Sequence, residues 1–141
     1  RYISVTGVQT CALPILWESQ DAGATWSDLH IERFSPVTYG RDLCVSKGDA
    51  NVMFAAMSVS AASHEGGIYR SEDVGRSWIR FDKVEVNGTV MSIAQPASNP
   101  ECIFLAARYD GEIYGTEDGG ATWHAFAMPS DVKDIYRLAA S

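Results

Sequence analysis

A chain of 141 residues, 46% hydrophobic and 21% charged, has the composition of a packed domain and not of a disordered segment. Its formal net charge of −7 excludes the basic footprint with which proteins grip a nucleic-acid backbone. No run of about twenty apolar residues could cross a membrane as a helix, and the three cysteines, Cys11, Cys44 and Cys102, show no CxxC spacing for a metal.

Taken in chain order, the first feature is Val5-Thr6-Gly7-Val8-Gln9-Thr10-Cys11-Ala12-Leu13-Pro14-Ile15, which resembles the conceptual translation of a common sequencing-library adapter. Residues 1–15 are therefore expected to be an artefact that stands outside the native fold, and the reading frame to begin inside a longer gene. Cys11 falls in that stretch. Cys44 and Cys102 lie on predicted strands of adjacent repeats and read as free thiols buried as small hydrophobes.

Three copies of one eight-residue motif follow: Ser19-Gln20-Asp21-Ala22-Gly23-Ala24-Thr25-Trp26, Ser71-Glu72-Asp73-Val74-Gly75-Arg76-Ser77-Trp78 and Thr116-Glu117-Asp118-Gly119-Gly120-Ala121-Thr122-Trp123. The shared pattern is S/T-x-D-x-G-x-S/T-W. Its chemistry is that of a turn: Asp accepts from nearby backbone N–H groups, Gly supplies positive φ, and flanking hydroxyls tie the corner. Each charge-assisted bond to the carboxylate is worth roughly 1.5–3 kcal/mol. The Trp is expected to open the next strand and bury its apolar face. The aspartates are 52 and 45 residues apart, close to the 40–50 residues of a four-stranded propeller blade.

The flanks repeat as well. Gly67-Ile68-Tyr69-Arg70 stands before the second motif as Glu112-Ile113-Tyr114-Gly115 stands before the third. Strands are predicted at 26–31; at 42–46, 52–58, 67–71 and 77–81; at 90–95, 102–107, 112–116 and 122–126; and at 134–139. In this register Val45, Ile93 and Leu138 are equivalent, and so are Leu43, Met91 and Tyr136.

The motif resembles the Asp box, or BNR repeat, of sialidase-like and photosystem II assembly factor-like β-propellers. The resemblance implies an all-β fragment of a propeller in which residues 16–34 end one blade, 35–82 and 83–127 form two four-stranded antiparallel blades, and 128–141 supply the first strand of the next. The remaining blades would lie in a longer chain. It also implies that the box residues (Ser19, Asp21, Gly23, Thr25, Trp26; Ser71, Asp73, Gly75, Ser77, Trp78; Thr116, Asp118, Gly120, Thr122, Trp123) are scaffold, and that ligands meet the opposite end of the wheel, around its axis.

At that end the candidates for chemistry are Arg41 and Asp42, at the start of an inner strand, and Arg108, Tyr109 and Asp110, at a loop tip; His64-Glu65 lies in a longer loop. Arg41 with Asp42 also reads as a local ion pair, and Asp110-Gly111 as a hairpin turn. Sialidases use a Tyr–Glu nucleophile pair, an Asp acid/base and three Arg on the substrate carboxylate. Their Arg-Ile-Pro type motif is absent here, so no catalytic residue carries over. Three functions fit: a scaffold binding a carbohydrate or protein ligand at the axis; a glycoside hydrolase, sialidase-like or xyloglucanase-like, whose catalytic residues lie partly in other blades; and a structural segment of a surface or receptor protein. No cofactor, metal or nucleic-acid partner is implied.

Overall fold

The computed structural model describes residues 3–6, 16–37, 39–109 and 111–141. These form eleven β-strands and one 3-10 turn (Ile31–Arg33), with no α-helix among the described residues. The strands are β1 (Ile3–Thr6), β2 (Leu16–Ser19), β3 (Ser27–Asp28), β4 (Tyr39–Val45), β5 (Met53–Ser58), β6 (Gly66–Ser71), β7 (Ile79–Arg80), β8 (Val90–Ala94), β9 (Ile103–Ala107), β10 (Glu112–Thr116) and β11 (His124–Ala127). They make three antiparallel sheets of consecutive strands: β1-β2-β3, β4-β5-β6-β7 and β8-β9-β10-β11. The last two are four-stranded meanders, as the two complete repeats require.

Strand alternation explains the core. In β5, Met53, Ala55 and Met57 turn to the first sheet, where they pack with Leu16, Leu29, Ile31, Tyr69 and Trp78. Phe54 and Ala56 turn the other way and pack with Ile68, Phe81, Val90, Ile93, Ile103, Leu105 and Tyr114. Side chains of successive residues point to opposite faces of a strand, so a central sheet covered on both sides is apolar throughout. Phe54 and Phe81 meet at 5.3 Å between ring centroids, and Trp123 meets Phe81 edge to face at 5.8 Å.

Four expectations need correction. Residues 1–15 do not all stand outside the fold: Ile3–Thr6 pairs antiparallel with β2, from Ile3 opposite Ser19 to Thr6 opposite Leu16. Ladder hydrogen bonds belong to the backbone, so an open strand edge accepts an extended segment of almost any sequence. Residues 7–15 lie outside the described ones. The strands after the boxes begin later than expected, at Ile79 and His124. The N–H groups of Ser77 and Thr122, and the hydroxyls beside them, are held by the box aspartates. Residues 134–139 form no strand. They contribute one bridge, Arg108 opposite Asp134, and one bond from Leu138 N to Ser92 Oγ at 3.2 Å.

The fourth correction concerns register. Gly40 pairs with Met57 and Asp42 with Ala56, which leaves Arg41 as the extra residue of a β-bulge. Val90 pairs with Ala107 and Ser92 with Ala106, which leaves Met91 in the same role. The equivalent triplets are therefore Arg41-Asp42-Leu43, Met91-Ser92-Ile93 and, through the bond at Leu138, Tyr136-Arg137-Leu138. Val45 drops out of the set because it lies two residues further along its strand.

Trp78 is 3% exposed in the core between the first two sheets, while Ile79 beside it is 63% exposed. Trp78→Ala should lower unfolding free energy by about 3–5 kcal/mol. Ile79→Ala should change it by no more than about 0.5 kcal/mol. Urea unfolding followed by far-ultraviolet circular dichroism checks both, and a Trp78 loss no larger than that of Ile79 would remove its role as an anchor.

Candidate functional site

The three boxes occupy one end of the sheets. In each, the carboxylate is surrounded by the same donors. Asp73 accepts from Ser71 Oγ at 2.8 Å, Ser77 N at 2.8 Å and Ser77 Oγ at 2.6 Å. Asp21 accepts from Ser19 Oγ, Thr25 N and Thr25 Oγ1 at 2.9, 2.8 and 2.6 Å. Asp118 accepts from Thr116 Oγ1, Thr122 N and Thr122 Oγ1 at 2.7, 2.9 and 2.6 Å. The first hydroxyl of each box also accepts from the N–H of Gly23, Gly75 or Gly120. Two successive residues take positive φ: Ala22 and Gly23, Val74 and Gly75, Gly119 and Gly120. Val74 is β-branched, so its left-handed backbone is strained; the bond from its N–H to Asn51 O at 3.0 Å and its packing beside the first core hold it there. Hydrogen bonds from the neighbouring hydroxyl and backbone hold Asp21 down to about 2, and Asp73 and Asp118 also lie below the ordinary carboxylate range. A carboxylate bound in this way is a structural anion and a poor proton donor.

The opposite end gathers the loops expected there. The ring of His64 lies 5.4 Å from that of Tyr109, and Glu65 bridges to Asn87. The bulges shape the inner edge of this end, where β4, β8 and residues 136–138 lie side by side. Asp42 links two blades: its Oδ1 accepts from Leu43 N at 2.9 Å and its Oδ2 from Ile93 N at 2.8 Å. Ser92 does the same one blade later, accepting from Leu138 N. Asp42 is thus bonded to the backbone, and no ion pair with Arg41 occurs among the described residues. Arg41, the bulged residue, is exposed and donates from Nη1 to Tyr39 Oη at 3.4 Å.

These strands border a cleft of about 400 Å³ lined by Arg41, Asp42, Leu43, Cys44, Met91, Ser92, Ile93, Tyr136, Arg137 and Leu138. Arg108 lies behind it. Its guanidinium sits 4.6 Å from the Tyr109 ring and 5.4 Å from the Tyr136 ring, and its Nε is 3.5 Å from Asp134 Oδ1. Tyr109 holds a φ of 85°, a strained value for a bulky residue. The structure therefore places Arg41 and Asp42 in one cleft and couples Arg108 and Tyr109 to it through Tyr136. Asp110 lies outside the described residues. Tyr136 and Arg137 escaped the candidate set, although the repeat register could have found them, since they stand where Arg41 and Asp42 stand. Cys44 and Cys102 are free and half-buried, and burial pushes the Cys44 thiol up.

One further group has the donors of a metal site, Asp28, His30 and Glu32. Its members bond one another, His30 Nδ1 lying 3.0 Å from Glu32 Oε1 and 3.6 Å from Asp28 Oδ2. Backbone hydrogen bonding, with help from His30, holds the Glu32 carboxyl below its ordinary range. Among the described residues no helix is long and apolar enough to cross a membrane.

No protein-family model matches the chain, and no curated protein sequence does. Solved structures do. An ancestral GH74 enzyme superposes with a TM-score of 0.66 at 17% identity, over 86% of this chain and 17% of that one. YCF48 bound to a D1 peptide gives 0.55 at 18% identity, over 89% and 37%. A mutant NanB sialidase from Streptococcus pneumoniae gives 0.55 at 20% identity, over 87% and 20%. The chain is an all-β segment of a β-propeller. It spans less than two-fifths of the length of each of these structures.

The box aspartates tie stability to acid. Their folded-state values lie below the ordinary value of 3.8. Their contribution is complete above that value and is lost as pH falls through the folded values, about 2 for Asp21. The urea midpoint should fall steadily from pH 4 to pH 2, and Asp73→Asn should lower it at neutral pH while making the acid decline shallower. A midpoint that stays constant to pH 2 would contradict this.

Proposed function

We propose that the chain belongs to an Asp-box propeller that acts as a binding scaffold, and that its cleft takes a carboxylate-bearing protein segment without chemical turnover. The supporting observation is the cation pair at the cleft. Arg41 and Arg137 line it, and Arg108 stands behind Tyr136, in a chain whose net charge is −7. Arginine suits this task because its planar fork binds carboxylates through two parallel bonds. Asp42, the one carboxyl lining the cleft among the described residues, spends both oxygens on backbone N–H groups. The likeness to a structure holding a bound peptide supplies a precedent for peptide capture by this fold. Further blades of a longer chain would complete the surroundings of the axis.

The glycoside hydrolase reading draws on the GH74 and sialidase likenesses. It needs two carboxyls about 5–10 Å apart across a bond, and Asp42 alone fills that need only in part.

A fluorescein-labelled hexaglutamate peptide and its hexalysine counterpart, titrated against the full chain by anisotropy, test the proposal. The acidic peptide should bind, more weakly as salt rises, and the lysine peptide should not. The double variant Arg41→Ala/Arg137→Ala should weaken the acidic peptide at least about tenfold, the loss of about 1.4 kcal/mol. Equal binding of both peptides, or no effect of the double variant, would reject the site. Hydrolysis of a xyloglucan oligosaccharide or a fluorogenic sialoside would turn the reading to the hydrolase.

A further inference from the structure

From the end of β3 toward the second blade the chain reads Asp28-Leu29-His30-Ile31-Glu32, polar and apolar residues in turn. The two apolar ones are anchors: both are buried in the core between the first two sheets, Ile31 completely. The backbone between them is thus fixed at two points. His30 takes a left-handed conformation, φ 50° and ψ 42°, and donor atoms of Asp28, His30 and Glu32 converge within 4.8 Å of one another. His30 Nδ1 lies 3.0 Å from Glu32 Oε1 and 3.6 Å from Asp28 Oδ2. The other oxygen of Asp28, Oδ1, accepts from His30 N at 2.8 Å, which orients the carboxylate and leaves Oδ2 to the group. Because all three donors come from five consecutive residues, no further blade is needed to complete the set.

The repeat shows what belongs at this place. Trp17 opposite Asp28 and Tyr69 opposite Arg80 make Asp28 the counterpart of Arg80, and His30, two residues on, the counterpart of Asp82. In the second blade this pair carries its own cation. Arg80 grips Asp82 from Nε at 3.2 Å and from Nη2 at 3.0 Å, and the buried Asp82 carboxylate accepts from Ile68 N at 3.0 Å, fastening the end of the blade to β6. In the first blade a carboxylate stands where that guanidinium stood, and Glu32 adds a second. Among the described residues no Lys or Arg lies within ion-pair distance of either. Two carboxylates sharing one imidazole repel each other unless a positive charge joins them.

We infer that Asp28, His30 and Glu32 bind one divalent transition-metal ion, zinc fitting best, with water completing its coordination. Zinc holds imidazole nitrogen and carboxylate oxygen at about 2.0–2.2 Å in a tetrahedron, which sets neighbouring donors about 3.3–3.6 Å apart. The donor separations of 3.0 and 3.6 Å straddle that edge, so a small shift seats the ion. Calcium takes six to eight oxygens and magnesium keeps an octahedral shell of oxygens and water, and a set of one nitrogen and two carboxylates suits neither. The ion fastens the end of β3 to the turn that enters the second blade, as Arg80 and Asp82 fasten the blade after it. The inference is independent of what the cleft binds.

Zinc chloride titrated by calorimetry into the full chain, first stripped with a chelator, should fill one saturable site that excess magnesium or calcium does not empty. Cobalt(II) in its place should show the visible bands of a low-coordinate ion without thiolate charge-transfer absorption, which separates this site from the three cysteines. His30→Asn keeps a residue that tolerates the left-handed backbone, and Glu32→Gln keeps the side-chain shape. Each should weaken zinc at least about tenfold with the far-ultraviolet circular dichroism unchanged; should either fail to fold, the wild-type cobalt spectrum decides. Thiolate absorption, displacement by calcium, or binding that survives both substitutions would overturn the inference. So would a wild-type chain that binds no zinc, which leaves a protonated His30 as the cation between the two carboxylates.

Discussion

Each of the three box corners hangs on one carboxylate. Asp21, Asp73 and Asp118 take the N–H and hydroxyl of the residue four places on and the hydroxyl of the residue two places back. To bring those donors to a single side chain the backbone must reverse within the box, and it does so through two residues of positive φ. The second of these is glycine in all three boxes. Conformation alone would favour glycine there. Packing requires it again at Gly75 and Gly120, where the preceding blade's Leu29 and Phe81 occupy the space of a Cβ. A local electrostatic demand therefore sets a distance between blades, and the corner that closes a hairpin also spaces the wheel.

A second device acts at the other end. The bulges at Arg41 and Met91 turn the first strand of each blade so that the next residue, Asp42 or Ser92, reaches across to a backbone N–H of the following blade. Bulges redirect side chains and increase local twist. Here they join blades along the inner edge and leave the bulged position itself facing the cleft. Sheet packing, box glycines and these side-chain bridges act together to repeat the blade register, with no disulfide between sheets among the described residues.

The boxes were legible because their chemistry is short-range: every partner of the carboxylate lies within four residues. The strands were legible because covered sheets need apolar residues on both faces, and β10 occurs at the bounds read from its sequence. Long-range effects were hidden. Asp42 read as a catalytic candidate or the partner of Arg41, but its deciding partner, Ile93 N, is 51 residues away. The equivalence of Val45 with Ile93 failed because strand pairing sets Leu43 opposite Ala55 and Ile93 opposite Leu105, which makes Leu43 the partner of Ile93 in the repeat; the bulges at Arg41 and Met91 fall at equivalent places and leave that register unchanged. Arg108 and Tyr109 read as a loop tip, and nothing local pointed to Tyr136 as the ring that ties them to the cleft. Trp26 read as a buried anchor like Trp78, because the motif does not say whether a blade stands on its far side.

The internal repeat also serves as an alignment of the chain with itself, and it separates scaffold from site. Leu43, Ile93 and Leu138 keep one chemistry at one position, as a packed position should. The bulged position beside them does not: it holds Arg41, then Met91, then Tyr136, and all three line the cleft. The next position changes from Asp42 to Ser92 to Arg137. The first two serve the same backbone contact, while the third brings a cation to the cleft wall. Repeated geometry with unrepeated chemistry is what a binding surface built on identical spokes requires, because a ligand that is not itself repetitive must find different groups at equivalent places. The most recognisable residues of the chain are thus chemically spent on their own corners, and selectivity falls to the one edge where the repeat is free to differ.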